Sequence, residues 1–167
     1  MTRFDRRAFL GLGGAAMVAG LAFTMTGREA EAQPGRFRFR LTDAQWRRRL
    51  SPPQYAVLRQ AQTERPGSSP LDREHRRGTF HCAGCGQPLF SSATKFESGT
   101  GWPSFYRPLP GAVVAREDRS LLMARTEVLC SRCGGHLGHV FDDGPRPTGL
   151  RYCMNGAAMT FRPLSGT

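Results

Sequence analysis

The chain has 167 residues, with 24 basic side chains against 13 acidic ones and a net charge of +11. That length suits one domain rather than two. Lys95 is the only lysine, so nearly all the positive charge is Arg. It is spread along the chain rather than set in one dense tract, which fits a solvated surface and argues against a nucleic-acid partner.

The N-terminus reads as an export signal over residues 1–32. Arg3, Arg6 and Arg7 form a basic start, an apolar Gly/Ala-rich stretch runs from Ala8 to Met25, and Ala30-Glu31-Ala32 gives an A-x-A cleavage pattern. Asp5-Arg6-Arg7-Ala8-Phe9-Leu10 is similar to the twin-arginine variant of such signals. An uncleaved membrane anchor is the alternative; Gly11, Gly13, Gly14 and Gly20 interrupt the stretch and weigh against it. The mature chain is expected to begin near Gln33, outside the cytosol in a bacterial periplasm, with no stable membrane partner after cleavage.

Residues 33–77 read as a helical prelude. Phe37 and Phe39 alternate with Arg, so a short edge strand is expected there. Thr42 or Asp43 can cap a short helix towards Leu50. Ser51-Pro52-Pro53 starts a second helix, its prolines in the first turn where a missing N–H costs little. Tyr55, Val57 and Leu58 supply its apolar face, and Glu64 to Pro70 forms a loop. From residue 78 to 167 the pattern becomes β. Short strands are expected at Thr79–His81, Pro88–Phe90, Ala112–Val114, Leu121–Met123, Thr126–Leu129, His139–Phe141, Arg151–Cys153 and Thr160–Arg162, separated by Gly, Pro, Asp and Ser. The fold class is mainly β: antiparallel sheets with peripheral N-terminal helices.

Five cysteines carry the chemistry. Cys82 and Cys85 form one C-x-x-C knuckle and Cys130 and Cys133 a second, the pattern of a four-thiolate zinc site that staples the domain. Two disulfides or a dithiol redox motif are the alternatives, with iron a minor one. A closed four-cysteine site is structural, and it suits a protein that collects its Zn2+ before leaving a reducing cytosol. Cys153 is left without a partner, a candidate nucleophile.

Three further segments are informative: Lys95 to Phe105, containing Gly101-Trp102-Pro103-Ser104; Gly135 to Pro145, containing His136-Leu137-Gly138-His139; and Gly149 to Ala158, containing Arg151-Tyr152-Cys153-Met154-Asn155. With both knuckles, and with Gln54 to Arg59 and Thr63-Glu64 in the prelude, they closely resemble the B-type methionine sulfoxide reductases, which act on the R epimer at sulfur. The resemblance runs from about Leu50 to Pro163. It implies two antiparallel β-sheets, Cys153 as nucleophile and Trp102 against the substrate's methyl group. It sets His136, His139, Asp143, Arg151 and Asn155 around the sulfoxide or its neighbours. Oxidised proteins or peptides carrying methionine-R-sulfoxide are the implied substrate, and a thioredoxin-like thiol the implied reductant.

The chemistry is coherent on its own terms. A thiolate attacks the sulfoxide sulfur while an imidazole protonates the departing oxygen, with His139 the first choice and His136 the second. Arg151 can favour the thiolate by its charge, and Asn155 can offer an amide hydrogen bond. The product at Cys153 is a sulfenic acid. Taken singly, Trp102 suits a core position, both histidines suit structural roles, and Cys153 suits an inert buried thiol; the combination is what points to catalysis. A zinc-ribbon-like binding module and a thiol–disulfide oxidoreductase using one C-x-x-C pair are the competing readings.

The chain departs from the family pattern at Thr100, where many members carry a recycling cysteine two residues before the tryptophan. It also has Glu97 where Asp is frequent and Gly156 where Ser is common. With four cysteines as ligands, no thiol remains to form a disulfide with Cys153, so direct reduction by an external thiol is expected.

Overall fold

The protein is described here by a computed structural model covering residues 37–121 and 123–164. The export signal expected over residues 1–32 lies outside the described residues. Among them, no helix is long and apolar enough to cross a membrane.

Two short helices come first. Helix α1 (Asp43–Arg49) is capped by Thr42, whose hydroxyl accepts the Gln45 N–H while the Gln45 side chain accepts the Thr42 N–H. This capping box satisfies two backbone donors at once. Helix α2 (Pro52–Gln60) starts with both prolines in its first turn and buries Tyr55, Val57 and Leu58. These join Trp46 and Leu50 in the same apolar cluster as the sheets.

The strands are β1 (Gly78–Cys82), β2 (Pro88–Ser91), β3 (Lys95–Phe96), β4 (Ser104–Phe105), β5 (Val113–Leu121), β6 (Met123–Cys130), β7 (His136–Phe141), β8 (Arg151–Met154) and β9 (Met159–Pro163). They form two antiparallel sheets, one ordered β2-β1-β9 and the other β3-β4-β8-β7-β6-β5. Strand β9 returns to pair with β1 along its length, from Gly78 opposite Pro163 to Cys82 opposite Met159.

Aromatic rings join the sheets. Phe80 of β1 lies 4.9 Å edge-on from Phe105 of β4 and 4.9 Å from Phe161 of β9, and Phe105 stacks on Phe90 of β2 at 4.4 Å. Phe80, Phe90 and Phe105 are completely buried. Ring pairs at these separations add to the free energy of apolar burial.

Three sequence expectations need correction. Phe37 to Arg40 is not a strand. The segment makes one backbone bond, Phe39 N–H to Arg132 O at 3.0 Å, and its rings pack sideways, Phe39 against Trp46 and Phe37 where Gly134 has no side chain. The strand expected over Leu121–Met123 is not a separate one: Leu121 ends β5 and pairs with Met123 at the start of β6, and Leu122 lies outside the described residues. Strands β3 and β4 were not anticipated, because two residues are too few to show an alternation.

Alternation along β4 and β8 decides what faces the core. Phe105 pairs with Tyr152 and turns inward, and Tyr152 lies 5.9 Å from the Phe90 ring. Ser104 pairs with Cys153 on the opposite face. Phe80→Ala should therefore cost about 3–5 kcal/mol through the cavity it leaves between the sheets. A urea titration of the variant checks this; a loss below about 1 kcal/mol would mean that the rings do not hold the sheets together.

Candidate functional site

Register builds the site. Cys153 on β8 lies opposite Ser104 on β4 and opposite His139 on β7, so the three residues share one face of the six-stranded sheet. Gly138 lets β7 approach β8 this closely: its φ is +158°, and a Cβ there would fall 2.1 Å from the Cys153 carbonyl oxygen. Above this row opens a pocket of about 150 Å³ lined by Thr63, Trp102, Arg125, Gly138, His139, Phe141, Cys153 and Asn155.

The nucleophile candidate is half-buried, and burial pushes the Cys153 thiol above its ordinary value. Thr100, Arg151 and Ser104 all act in the opposite direction without overcoming it. Thr100 Oγ1 stands 3.9 Å from Cys153 Sγ and 2.8 Å from Ser98 Oγ, which in turn lies 2.7 Å from Ser104 Oγ. Three hydroxyls are thus linked in a chain beside the sulfur. Arg151 is less available than its sequence position suggests. Its guanidinium binds both Asp143 oxygens, at 2.8 and 2.7 Å, and stacks 4.4 Å over the Phe141 ring. Asp143 is therefore joined to the site through Arg151, and neither residue lines the pocket.

Two histidine–carboxylate–arginine chains cross β7, β6 and β5. His136 Nδ1 is 2.7 Å from Glu127 Oε1, and Arg116 donates to Glu127 Oε2 at 2.9 Å. Burial alone would raise the Glu127 carboxyl, but His136 and Arg116 outweigh it and hold it below its ordinary value. The carboxylate can only accept, so Nδ1–H donates. His136 Nε2 is buried with no hydrogen-bond partner among the described residues. In the second chain His139 Nε2 is 2.9 Å from Asp118 Oδ2, which also accepts from Arg125 at 2.8 Å. Burial depresses the His139 pKa, and the Asp118 bond only partly restores it. The two imidazoles meet edge to face at 5.4 Å.

Asn155 lies at the floor of the pocket. Its Nδ2 donates to Leu137 O at 3.0 Å and its Oδ1 accepts the Glu64 N–H at 3.0 Å. Trp102 donates its indole N–H to Glu64 O at 3.2 Å. The structure thus places Cys153, His139, Trp102 and Asn155 in one pocket, with His136 against His139. Sequence reading missed Glu127, Asp118, Arg125, Phe141 and Ser98, and gave Thr63 and Glu64 no role. The acids on β5 and β6 reach the histidines only through strand pairing, which no local motif reports.

The four remaining cysteines form a second centre. The sulfurs of Cys82, Cys85, Cys130 and Cys133 all lie within 4.8 Å of one another, and all four residues are buried. Cys82 and Cys133 are 3.7 Å apart and Cys85 and Cys130 3.6 Å, too far for disulfides. A tetrahedral ion about 2.3 Å from each sulfur requires separations of about 3.8 Å, so the cluster has the dimensions of a metal site. As bare thiols the four would share protons unequally, Cys130 above all pushing Cys82 and Cys133 up while Cys85 and Cys130 are held down. A divalent cation relieves that conflict by taking four thiolates.

Alkylation of Cys153 against pH should show a midpoint above the ordinary thiol value of about 8.5. Thr100→Val, which removes the nearest hydroxyl, should move the midpoint further up. An unchanged midpoint would show that the hydroxyl chain does not support the thiolate.

Known proteins share much of this sequence. Residues 50–163 match the model of the SelR domain. The chain is similar to the peptide methionine sulfoxide reductase MsrB of Bradyrhizobium diazoefficiens, 59% identical over 73% of this chain and 88% of that one. It is also 58% identical to the protein of the same name from Thiobacillus denitrificans, over 73% of this chain and 93% of that one, and 53% identical to that of Agrobacterium fabrum, over 74% and 92%. The chain belongs to the SelR domain family, that of the B-type methionine sulfoxide reductases.

Proposed function

We propose that this protein reduces the R epimer of methionine sulfoxide, mainly in peptides and proteins, to methionine. The observation that carries the reading is the row Ser104–Cys153–His139 under a small pocket walled by Trp102 and floored by Asn155. A methyl sulfoxide needs an apolar wall for its methyl group, a nucleophile beneath the sulfur and a proton source beside the oxygen. Trp102, Cys153 and His139 supply these in turn.

The Cys153 thiolate attacks the substrate sulfur, and the sulfoxide oxygen takes a proton as the S–O bond breaks. His139 holds that proton. Its Nε2–H bond to Asp118 leaves Nδ1 to gain and lose it, and His136 packs against the ring and fixes its tilt. The oxygen then passes to Cys153 Sγ as the transient bond between the two sulfurs breaks, so Cys153 is left as a sulfenic acid, oxidised by two electrons, and methionine leaves with its sulfur reduced by two. Two external thiols then return Cys153 to the thiol, forming one disulfide and one water. A thioredoxin-like protein is the proposed donor: four of the five cysteines are in the sulfur cluster, and Thr100 stands where an internal thiol would serve.

The four clustered cysteines, Cys82, Cys85, Cys130 and Cys133, are proposed to hold one zinc ion. When bound it ties the β1–β2 turn to the β6–β7 turn and carries no step of the reaction. We further place the mature protein in the periplasm through the twin-arginine signal; N-terminal sequencing of the exported form should start near Gln33, and a start at Met1 would oppose this.

The decisive test is turnover of a peptide carrying each sulfoxide epimer, with excess dithiothreitol. Selective loss of the R epimer is expected, abolished by Cys153→Ser in a protein that still folds and holds one zinc per chain. Loss of the S epimer, or activity in Cys153→Ser, would remove the assignment. A disulfide to Cys153 in the oxidised, metal-loaded protein would remove the external-thiol step.

A further inference from the structure

Glu64 bonds to two residues that line the pocket and to the turn that follows them in the chain. Its carboxylate accepts the Gly156 N–H at 2.5 Å and the Ala157 N–H at 3.0 Å, at the start of the short turn that follows Cys153 and Asn155. Its backbone carbonyl accepts the Trp102 indole N–H, and its backbone N–H donates to Asn155 Oδ1. Thr63 beside it lines the pocket. Three residues on, the Gly67 N–H donates to Gly101 O at 2.7 Å. A Cβ on Gly101 would stand 2.8 Å from the Gly67 nitrogen, so this loop and the Trp102 loop meet backbone to backbone.

We propose that Glu64 is a positioning residue: its side chain pins the 63–67 loop to the turn after the nucleophile, and the loop's backbone then aims the Trp102 ring and the Asn155 amide. The inference rests on the reading of Trp102 and Asn155 as groups that meet the sulfoxide. Its physical basis is that two N–H donors converge on one carboxylate. An ionised carboxylate accepts on both oxygens, whereas a glutamine offers one acceptor and turns an N–H2 towards a second N–H. Without the side-chain anchor, residue 64 would lose its two direct bonds to the turn after Cys153, and the bonds its backbone makes to Trp102 and Asn155 would loosen with it. A displacement of about 1 Å at such a point can cost up to about a hundredfold in productive binding.

The test compares wild type, Glu64→Gln and Glu64→Ala in two ways. In steady-state turnover of the R-sulfoxide peptide, Glu64→Gln should raise KM about tenfold and Glu64→Ala more, with kcat changed less than KM. A purely structural residue would instead reduce the folded fraction, lowering apparent kcat at constant KM, and that result overturns the proposal. In hydrogen exchange followed by NMR, the Gly156 and Ala157 amides and the Trp102 indole should exchange faster in Glu64→Gln, while the Leu129 amide in β6 keeps its protection. Unchanged exchange at those three groups also overturns it. If the wild type fails to turn over either epimer, the sulfoxide reading falls, and the exchange experiment alone decides whether the clamp exists.

Discussion

Ser104, Cys153 and His139 are far apart in sequence and share a face because β4, β8 and β7 pair antiparallel in one register. Strand side chains alternate with a period of two, so a slip of one residue in β8 would turn Cys153 into the core and bring Tyr152 to the pocket. The aromatic rings guard against that slip. Tyr152, Phe105 and Phe90 form one packed group on the inner face, and Phe80 ties it to the three-stranded sheet. Apolar packing on one side of the sheet thus fixes where a polar nucleophile stands on the other.

Burial and charge then set opposite demands on the two reacting groups. The thiol is harder to ionise and the imidazole harder to protonate than either would be in water, for the same reason: both charged forms lose solvent. Local bonds soften each cost. A chain of hydroxyls runs past Cys153, and a carboxylate grips His139. The charges behind this, Arg116, Glu127, Asp118 and Arg125, are laid across neighbouring strands so that each carboxylate meets a histidine and an arginine. Arg151, two residues before the nucleophile on the same strand, acts on Cys153 while its guanidinium is also bound by Asp143.

What could be read from sequence was what is local. The two C-x-x-C knuckles declare themselves by spacing, and Thr42 and Ser51-Pro52-Pro53 mark the helix starts by known cap chemistry. The strands rich in β-branched and aromatic residues were also legible. Phe37 and Phe39 misled because alternation is only half of a strand; the other half is an edge to pair with, and here the rings found Gly134 and Trp46 instead. Strands β3 and β4 stayed hidden for want of length, although β4 carries the Ser104 partner of Cys153. Glu64 was visible as a letter in a motif, but its meaning lies about ninety positions away, in N–H groups of a turn that sequence cannot place.

The pairing of β9 with β1 sets the order in which this protein can be made. Strand β1 opens the β region and β9 closes it, so the three-stranded sheet cannot be completed on the ribosome until the β9 residues have emerged. Contacts of such long sequence separation slow folding, because the entropy of closing the chain is lost before the contacts form. Both cysteine knuckles and β7 are synthesised before Cys153 appears. The growing chain therefore presents the four clustered cysteines ahead of the strand that carries the fifth, so the four can be gathered round a metal ion before Cys153 is present to compete for a place among them.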